Sequence, residues 1–271
     1  MSRLAGAIEG ARAKGRAAFI PYVTAGDPSL EATALFAKTL AAAGADILEL
    51  GVPFTDPFAD GPVNQSAAQR ALLGGTTLNG ILDAVTHMRA SGLDIPIVLF
   101  TYFNPVLNMG RRDFCRLSRK AGVDGALIVD LPPEEADSYI EEARRSGLET
   151  VFLASPTTSP ERLRLIDASS TGFVYYVSRL GVTGARENLS ATLAEELNTV
   201  KGTVKAPVAV GFGISTPDQA REAAAHADAV VVGSALVKFA RHDDVNKAAE
   251  MMNELASRMI AGLGLTPRPE V

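Results

Sequence analysis

Glu49 and Asp60 are the residues whose types and spacing could do chemistry. Glu49 lies inside Ile47-Leu48-Glu49-Leu50-Gly51, an apolar run of strand character, and Asp60 inside Pro57-Phe58-Ala59-Asp60-Gly61-Pro62, with Asp56 between them. A carboxylate that interrupts an apolar strand must reach water, a partner or a substrate, because burying it unpaired is costly. An acid on a rigid strand end and a second acid on a loop form an acid/base pair whose members can hold different pKa values. The plainer alternative is that Glu49 only ends a strand and Asp60 only makes a turn, and the rest of the chain has to decide.

Composition narrows the field. The 271 residues are 47% hydrophobic, enough for one large α/β domain or two small ones. A formal charge of −5 and no basic cluster argue against nucleic acid as a partner; the pairs Arg111-Arg112 and Arg144-Arg145 read as solvated helix faces. The single cysteine, Cys115, allows no internal disulfide and has no nearby histidine, so it reads as an inert thiol in a reducing compartment. The histidines, His87, His226 and His242, fall in helix-like stretches without ligand spacing, so no metal site is expected. No apolar run reaches membrane-spanning length and no signal-like segment opens the chain; a soluble, cytoplasmic protein is the expectation.

The elements that must position the two acids are repeated βα units. Apolar, β-branched runs predict strands at 19–23, 47–50, 97–100, 125–129, 150–153, 173–176, 208–210 and 229–232. Helical patterns fall at 30–43, 78–91, 111–121, 134–146, 161–168, 191–201, 217–225 and 245–261, with residues 1–15 as an extra N-terminal helix over the lower end. A weak repeat, Ala43-Gly44-Ala45-Asp46, Ala121-Gly122-Val123-Asp124 and Ala225-His226-Ala227-Asp228, precedes three of the strands and reads as a helix end, a turn and a strand start. Such units in this length predict a closed α/β (β/α)8 barrel of the triosephosphate-isomerase type, a single domain spanning residues 1–271. No Gly-x-Gly-x-x-Gly follows the first strand, which disfavours an open dinucleotide-binding sheet.

In such a barrel the chemistry sits at the C-terminal strand ends. Gly211-Phe212-Gly213-Ile214-Ser215 and Val232-Gly233-Ser234-Ala235 follow the last two strands, where glycine lets backbone N–H groups approach an anion; a phosphate site is expected there. Tyr22, Phe100, Tyr102, Tyr175 and Phe212 fall at strand ends and would clasp a flat apolar group. The substrate read from these residues is a phosphorylated molecule carrying a flat apolar ring. Lys38, Lys120, Lys201, Lys205, Lys238 and Lys247 fall on helices or loops, which argues against a Schiff-base aldolase on the same scaffold.

With these residues in hand, the chain resembles the tryptophan synthase α subunit family over nearly its whole length. The most specific segments are Pro21-Tyr22-Val23-Thr24-Ala25-Gly26-Asp27-Pro28, the run from Leu48 through Glu49 and Asp60 to Pro62, Tyr175 with Ser178-Arg179-Leu180-Gly181-Val182-Thr183-Gly184, and Gly211-Phe212-Gly213-Ile214-Ser215. The resemblance implies a lyase that cleaves indole-3-glycerol phosphate to indole and glyceraldehyde 3-phosphate. It implies Glu49 as general acid/base, Asp60 as acceptor of the indole N–H, and Tyr175 as a catalytic residue that orients Glu49 or packs beside the glycerol. It also implies Gly184, Gly213, Gly233 and Ser234 around the phosphate, and Tyr22, Phe100, Leu127, Thr183 and Phe212 around the indole and glycerol. The Asp60 loop and the loop 179–189 would close over substrate, with Thr183 reaching Asp60. No cofactor is implied in this chain; pyridoxal phosphate belongs to a β subunit that receives indole in an αββα complex. Pro53, Asp56, Pro57 and the 103–108 loop with Asn104 and Asn108 match the surface facing β. Phe58, Val63-Asn64 and the residues before Asn104 depart from the family pattern, which bears on pocket shape and partner fit. A stand-alone indole-releasing lyase, and a subunit that mainly binds and activates its partner, are the alternatives.

Overall fold

The computed structural model describes residues 2–177, 186–211 and 213–264. Eight parallel strands close into a barrel in chain order: β1 Ala18–Thr24, β2 Leu48–Gly51, β3 Ile97–Thr101, β4 Gly125–Ile128, β5 Glu149–Ala154, β6 Val174–Val177, β7 Val208–Gly211 and β8 Ala229–Val232. The ring closes where Ala18 to Pro21 of β1 register with Ala229 to Val232 of β8. Around it run α1 Arg3–Ala13, α2 Leu30–Ala42, α3 Pro62–Leu73, α4 Leu78–Ala90, α5 Phe103–Met109, α6 Arg111–Ala121, α7 Asp137–Ser146, α8 Pro160–Ser169, α9 Arg186–Thr203, α10 Pro217–Ala224, α11 Ser234–Val237 and α12 Val245–Ala261. The expected (β/α)8 barrel is the fold observed.

Strand alternation separates two cores. Phe19 and Val23, Leu48 and Leu50, and Leu99 point outward into the layer beneath the helices. Ala18, Ile20 and Tyr22, Ile47, Val98 and Phe100, Leu127, Val151, Phe173 and Tyr175 point inward and fill the barrel. Leu4, Ile8 and Ala11 of α1 join this inner cluster, so the N-terminal helix stops the lower end. Its first turn is tied down by Glu149, which accepts from the Arg3 N–H at 2.6 Å and from the Ser2 hydroxyl.

The repeated aspartates have a shared role. Asp46, Asp124 and Asp228 accept the backbone N–H of Phe19, Ile97 and Val208, at 2.8, 2.9 and 2.9 Å. Each thereby satisfies a donor at the start of the strand before its own, where the ladder gives none. Each also holds a cation: Arg16 at 2.6 Å, Arg89 at 2.7 Å and Lys201 at 2.6 Å. The glycines of two repeats, Gly44 and Gly122, sit at φ +103° and +99°, where an L side chain is strained.

Three segments differ from the sequence reading. Residues 62–73 form α3, whose buried face consists only of Ala67, Ala68 and Ala71, too weak an apolar signal to read as helix. Residues 103–108, expected as a loop, belong to α5; Pro105 lies in its first turn, where no N–H is required, and the Asp130 carboxylate caps it from another loop by accepting the Phe103 N–H at 2.6 Å. Residues 186–189, expected within a loop, are the first turn of α9.

Asp124 is 1% exposed and also receives Arg3 and Arg119 at 3.0 and 3.1 Å. Asp124→Ala removes the counter-charge of three arginines and is expected to cost about 3 kcal/mol in urea unfolding, while its distance from the strand C-termini leaves the upper face intact.

Candidate active site

A cavity of about 640 Å³ opens at the C-terminal ends of the strands. Its floor is built by inward positions: Tyr22 on β1, Glu49 on β2, Phe100 on β3, Tyr175 on β6 and Val231 on β8. Glu49 stands two residues beyond Ile47 on the same inward row and registers with Tyr22 and Val98 on its neighbours. It is 1% exposed, and its Oε1 has no hydrogen-bond partner among the described residues. Burial, and then the charge of Asp60, push its carboxyl up to about 8. The shift favours the protonated form of the carboxyl, which faces the cavity.

Two phenols flank the acid, each over a glycine. A Cβ on Gly51 would lie 2.0 Å from the Tyr22 hydroxyl, and one on Gly211 would lie 2.1 Å from the Tyr175 hydroxyl. Glycine at these strand ends is the space the rings occupy. Tyr22 also meets Phe100 edge to face, with centroids 5.5 Å apart. Burial keeps both hydroxyls protonated, with Glu49 adding to the effect at each.

Asp60 hangs over this floor from the turn before α3. The Tyr102 hydroxyl donates to Asp60 Oδ2 at 2.8 Å and accepts the Ala59 N–H at 3.1 Å. Tyr102 in turn stacks on Phe54 at 5.1 Å and meets Phe58 edge-on at 5.4 Å. Asn64 Nδ2 makes a long contact of 3.5 Å to Asp60 Oδ1. Burial raises the Asp60 carboxyl and these two donors pull it back, so the two acids are biased to different degrees. The far wall carries Gly213, Ile214, Gly233 and Ser234. Gly213 lies at φ +81°, and Ser234 opens a one-turn helix, whose first N–H groups have no intrahelical acceptor.

A family model described as tryptophan synthase alpha chain matches residues 8–262. The chain belongs to the tryptophan synthase alpha chain family. It is 49% identical to the tryptophan synthase alpha chain of Geobacter sulfurreducens, over 95% of this chain and 96% of that one. It is 48% identical to the one of Phenylobacterium zucineum, over 92% and 88%. The fold superposes on tryptophan synthase subunit alpha of Legionella pneumophila with a TM-score of 0.88 at 36% identity, covering 97% of this chain and 98% of that one. Tryptophan synthase of Mycobacterium tuberculosis gives 0.87 at 35% identity, covering 98% and 99%.

For a tryptophan synthase alpha chain, most residues read from sequence converge on one cavity: Glu49, Asp60, Tyr22, Phe100, Tyr175, Gly213, Gly233 and Ser234. Leu127 does not line it; it is fully buried in the inner cluster beneath. Tyr102 is also absent from the wall and grips Asp60 instead. Thr183, Gly184 and Phe212 lie outside the described residues. Of the positions read as facing a partner, Asp56, Asn104 and Asn108 are exposed and Pro57 is half-buried, whereas Pro53 is buried and presents no free surface. Asn64, read from sequence only as a departure that bears on pocket shape, lines the cavity, and the sequence reading missed the wall Ser155-Pro156-Thr157; the latter follows β5, a strand end that the same rule should have included. Cys115 is buried, and burial pushes its thiol up to about 12. Among the described residues no lysine lines the cavity.

The native Glu49 carboxyl keeps a proton that the unfolded chain, with a carboxyl near 4.5, releases. Stability from this group therefore falls as pH rises from about 4.5 towards 8. Glu49→Gln cannot ionise, so its stability relative to the parent is expected to rise across that window by more than about 1.4 kcal/mol, measured by urea unfolding at pH 5 and pH 8.5.

Proposed function

We propose that this chain performs the α reaction of tryptophan synthase: retro-aldol cleavage of indole-3-glycerol phosphate to indole and glyceraldehyde 3-phosphate. The observation that carries the reading is a buried Glu49 on the cavity floor, its carboxyl raised by burial, in the same cavity as Asp60. Indole leaves poorly as a carbanion and well after protonation at C3. Glu49 donates its proton to C3, and Asp60 accepts the ring N–H and stabilises the positive charge that spreads onto nitrogen. Glu49, now a carboxylate, takes the proton of the hydroxyl on the carbon attached to C3. The bond between that carbon and C3 breaks, its electron pair returns to the ring, and the hydroxyl carbon becomes the aldehyde. Glu49 ends protonated, ready for another turnover.

Tyr175 and Tyr22 pack around the glycerol and the ring and keep Glu49 away from bulk water. Backbone N–H groups at Gly213, Gly233 and Ser234 hold the phosphate, with Gly184 as a further contact; Phe100, Phe212 and Thr183 complete the ring pocket. The chain works as a single domain in the cytoplasm. Its partner is a β subunit that carries pyridoxal phosphate and takes up the indole in an αββα complex, docking on the rim that holds Asp56, Pro57, Asn104 and Asn108. Exposed Phe58 and Leu107 on that rim support this placement.

Indole release from indole-3-glycerol phosphate tests the reading. Slow release by the purified chain, strong stimulation by a tryptophan synthase β subunit, and a loss of roughly 100-fold or more in Glu49→Gln are expected. Fast release without β would favour a stand-alone lyase. A folded chain that releases no indole under either condition would overturn the assignment.

A further inference from the structure

Helix α3 supports the second acid of the site, yet little apolar surface holds the helix. Its buried face is Ala67, Ala68 and Ala71, with Val63 half-buried, and its Leu73 is 82% exposed. An alanine side chain is a single methyl group, so burying three of them fixes a helix weakly. Asp60 depends on this helix. From its first turn Gln65 Nε2 donates to the Asp60 carbonyl at 2.8 Å, and Asn64 Nδ2 reaches Asp60 Oδ1 at 3.5 Å. The same helix packs on β1 and on α11, which follows Gly233.

One ion pair ties α3 to the barrel. Arg70 Nε donates to Asp27 Oδ1 at 2.8 Å and Nη2 to Oδ2 at 2.6 Å, a two-point fork onto a carboxylate that is 1% exposed. Its third nitrogen, Nη1, donates to Ser66 Oγ at 3.2 Å one turn back, which fixes the side chain against its own helix. Asp27 follows β1 and is itself held: its N–H donates to the Thr24 carbonyl at 3.3 Å, and the Gly26 N–H donates to Thr33 Oγ1 of α2 at 2.9 Å. A fork of this kind fixes direction as well as distance, and a buried carboxylate that loses it is strongly destabilised. Neither Asp27 nor Arg70 lines the cavity, and the proposed chemistry uses neither.

We infer that Asp27 and Arg70 are a positioning pair: they pin α3 to the end of β1 and so hold Asp60 over the cavity, where the ring N–H arrives. This rests on the proposed lyase reading and adds two residues that act through Asp60 rather than on substrate.

Two substitutions test the pair. Asp27→Asn removes the charge at nearly constant size; Arg70→Lys keeps the charge and loses the fork. In both, hydrogen–deuterium exchange of the amides over 58–64 is expected to quicken by about tenfold. The kcat for indole release is expected to fall by about tenfold, with KM moving less than about threefold. Arg70→Lys leaves Asp27 a counter-charge, so it decides the matter even where Asp27→Asn fails to fold. Asp124→Ala is the control for lost stability alone: it loosens the lower end of the barrel and should leave kcat and the exchange over 58–64 at the parent level. Parent-level exchange over 58–64 in folded Arg70→Lys, an equal quickening in Asp124→Ala, or a loss confined to KM would overturn the inference. Failure of the lyase reading looks different: the parent chain releases no indole, and the exchange alone then decides whether the pair anchors the Asp60 turn.

Discussion

Removing the Glu49 carboxyl from water is the constraint on which the rest of the site depends. A carboxylate in the apolar interior of a barrel loses its hydration; among the described residues Oε1 has no donor, and Asp60 adds a like charge. The group responds by keeping its proton. The proposed reaction asks of Glu49 an acid that can protonate C3 of an indole and then serve as a base, and a raised carboxyl suits both steps. The same desolvation makes the floor of the cavity a weak point for folding, a common trade at functional sites.

Everything around Glu49 sustains that condition. The inward row below it, with Ile47, Val98 and Leu127, fills the barrel, and Leu4 and Ile8 of the N-terminal helix shut its lower end. Tyr22 and Tyr175 lean across onto Gly51 and Gly211 and cover the acid from two sides. Asp60 must behave differently from Glu49, and the difference comes from donors: Tyr102 and Asn64 offer hydrogen bonds to its carboxylate. One barrel end therefore holds two carboxyls in different surroundings.

The strands, the barrel and both acids were legible because their signals are local. Apolar runs mark the strands, a carboxylate among them marks Glu49, and paired Gly turns mark the Gly213 and Gly233 wall. What escaped depends on contacts between distant segments. The first turn of α5 is capped by Asp130, 27 residues from Phe103, and α3 buries only alanines, so neither helix announces itself. Tyr102 was visible as a strand-end aromatic, yet its bond to Asp60, 42 residues away, comes from the fold alone. Leu127 came from the family resemblance alone, and in the fold it is fully buried in the inner cluster. The aspartate repeat was visible as pattern, but its purpose, accepting an N–H from the start of another strand, needed the barrel's register.

The most direct measurement is the ionisation of Glu49 itself, followed by carbon NMR of the chain labelled at glutamate side-chain carboxyls. One carboxyl is expected to titrate near 8, absent from Glu49→Gln and moved only part of the way down in Asp60→Asn, because burial outweighs the neighbouring charge. If every glutamate carboxyl instead titrates below about 6, in the range of solvated acids, Glu49 is ionised at neutral pH and cannot be the acid that protonates the ring.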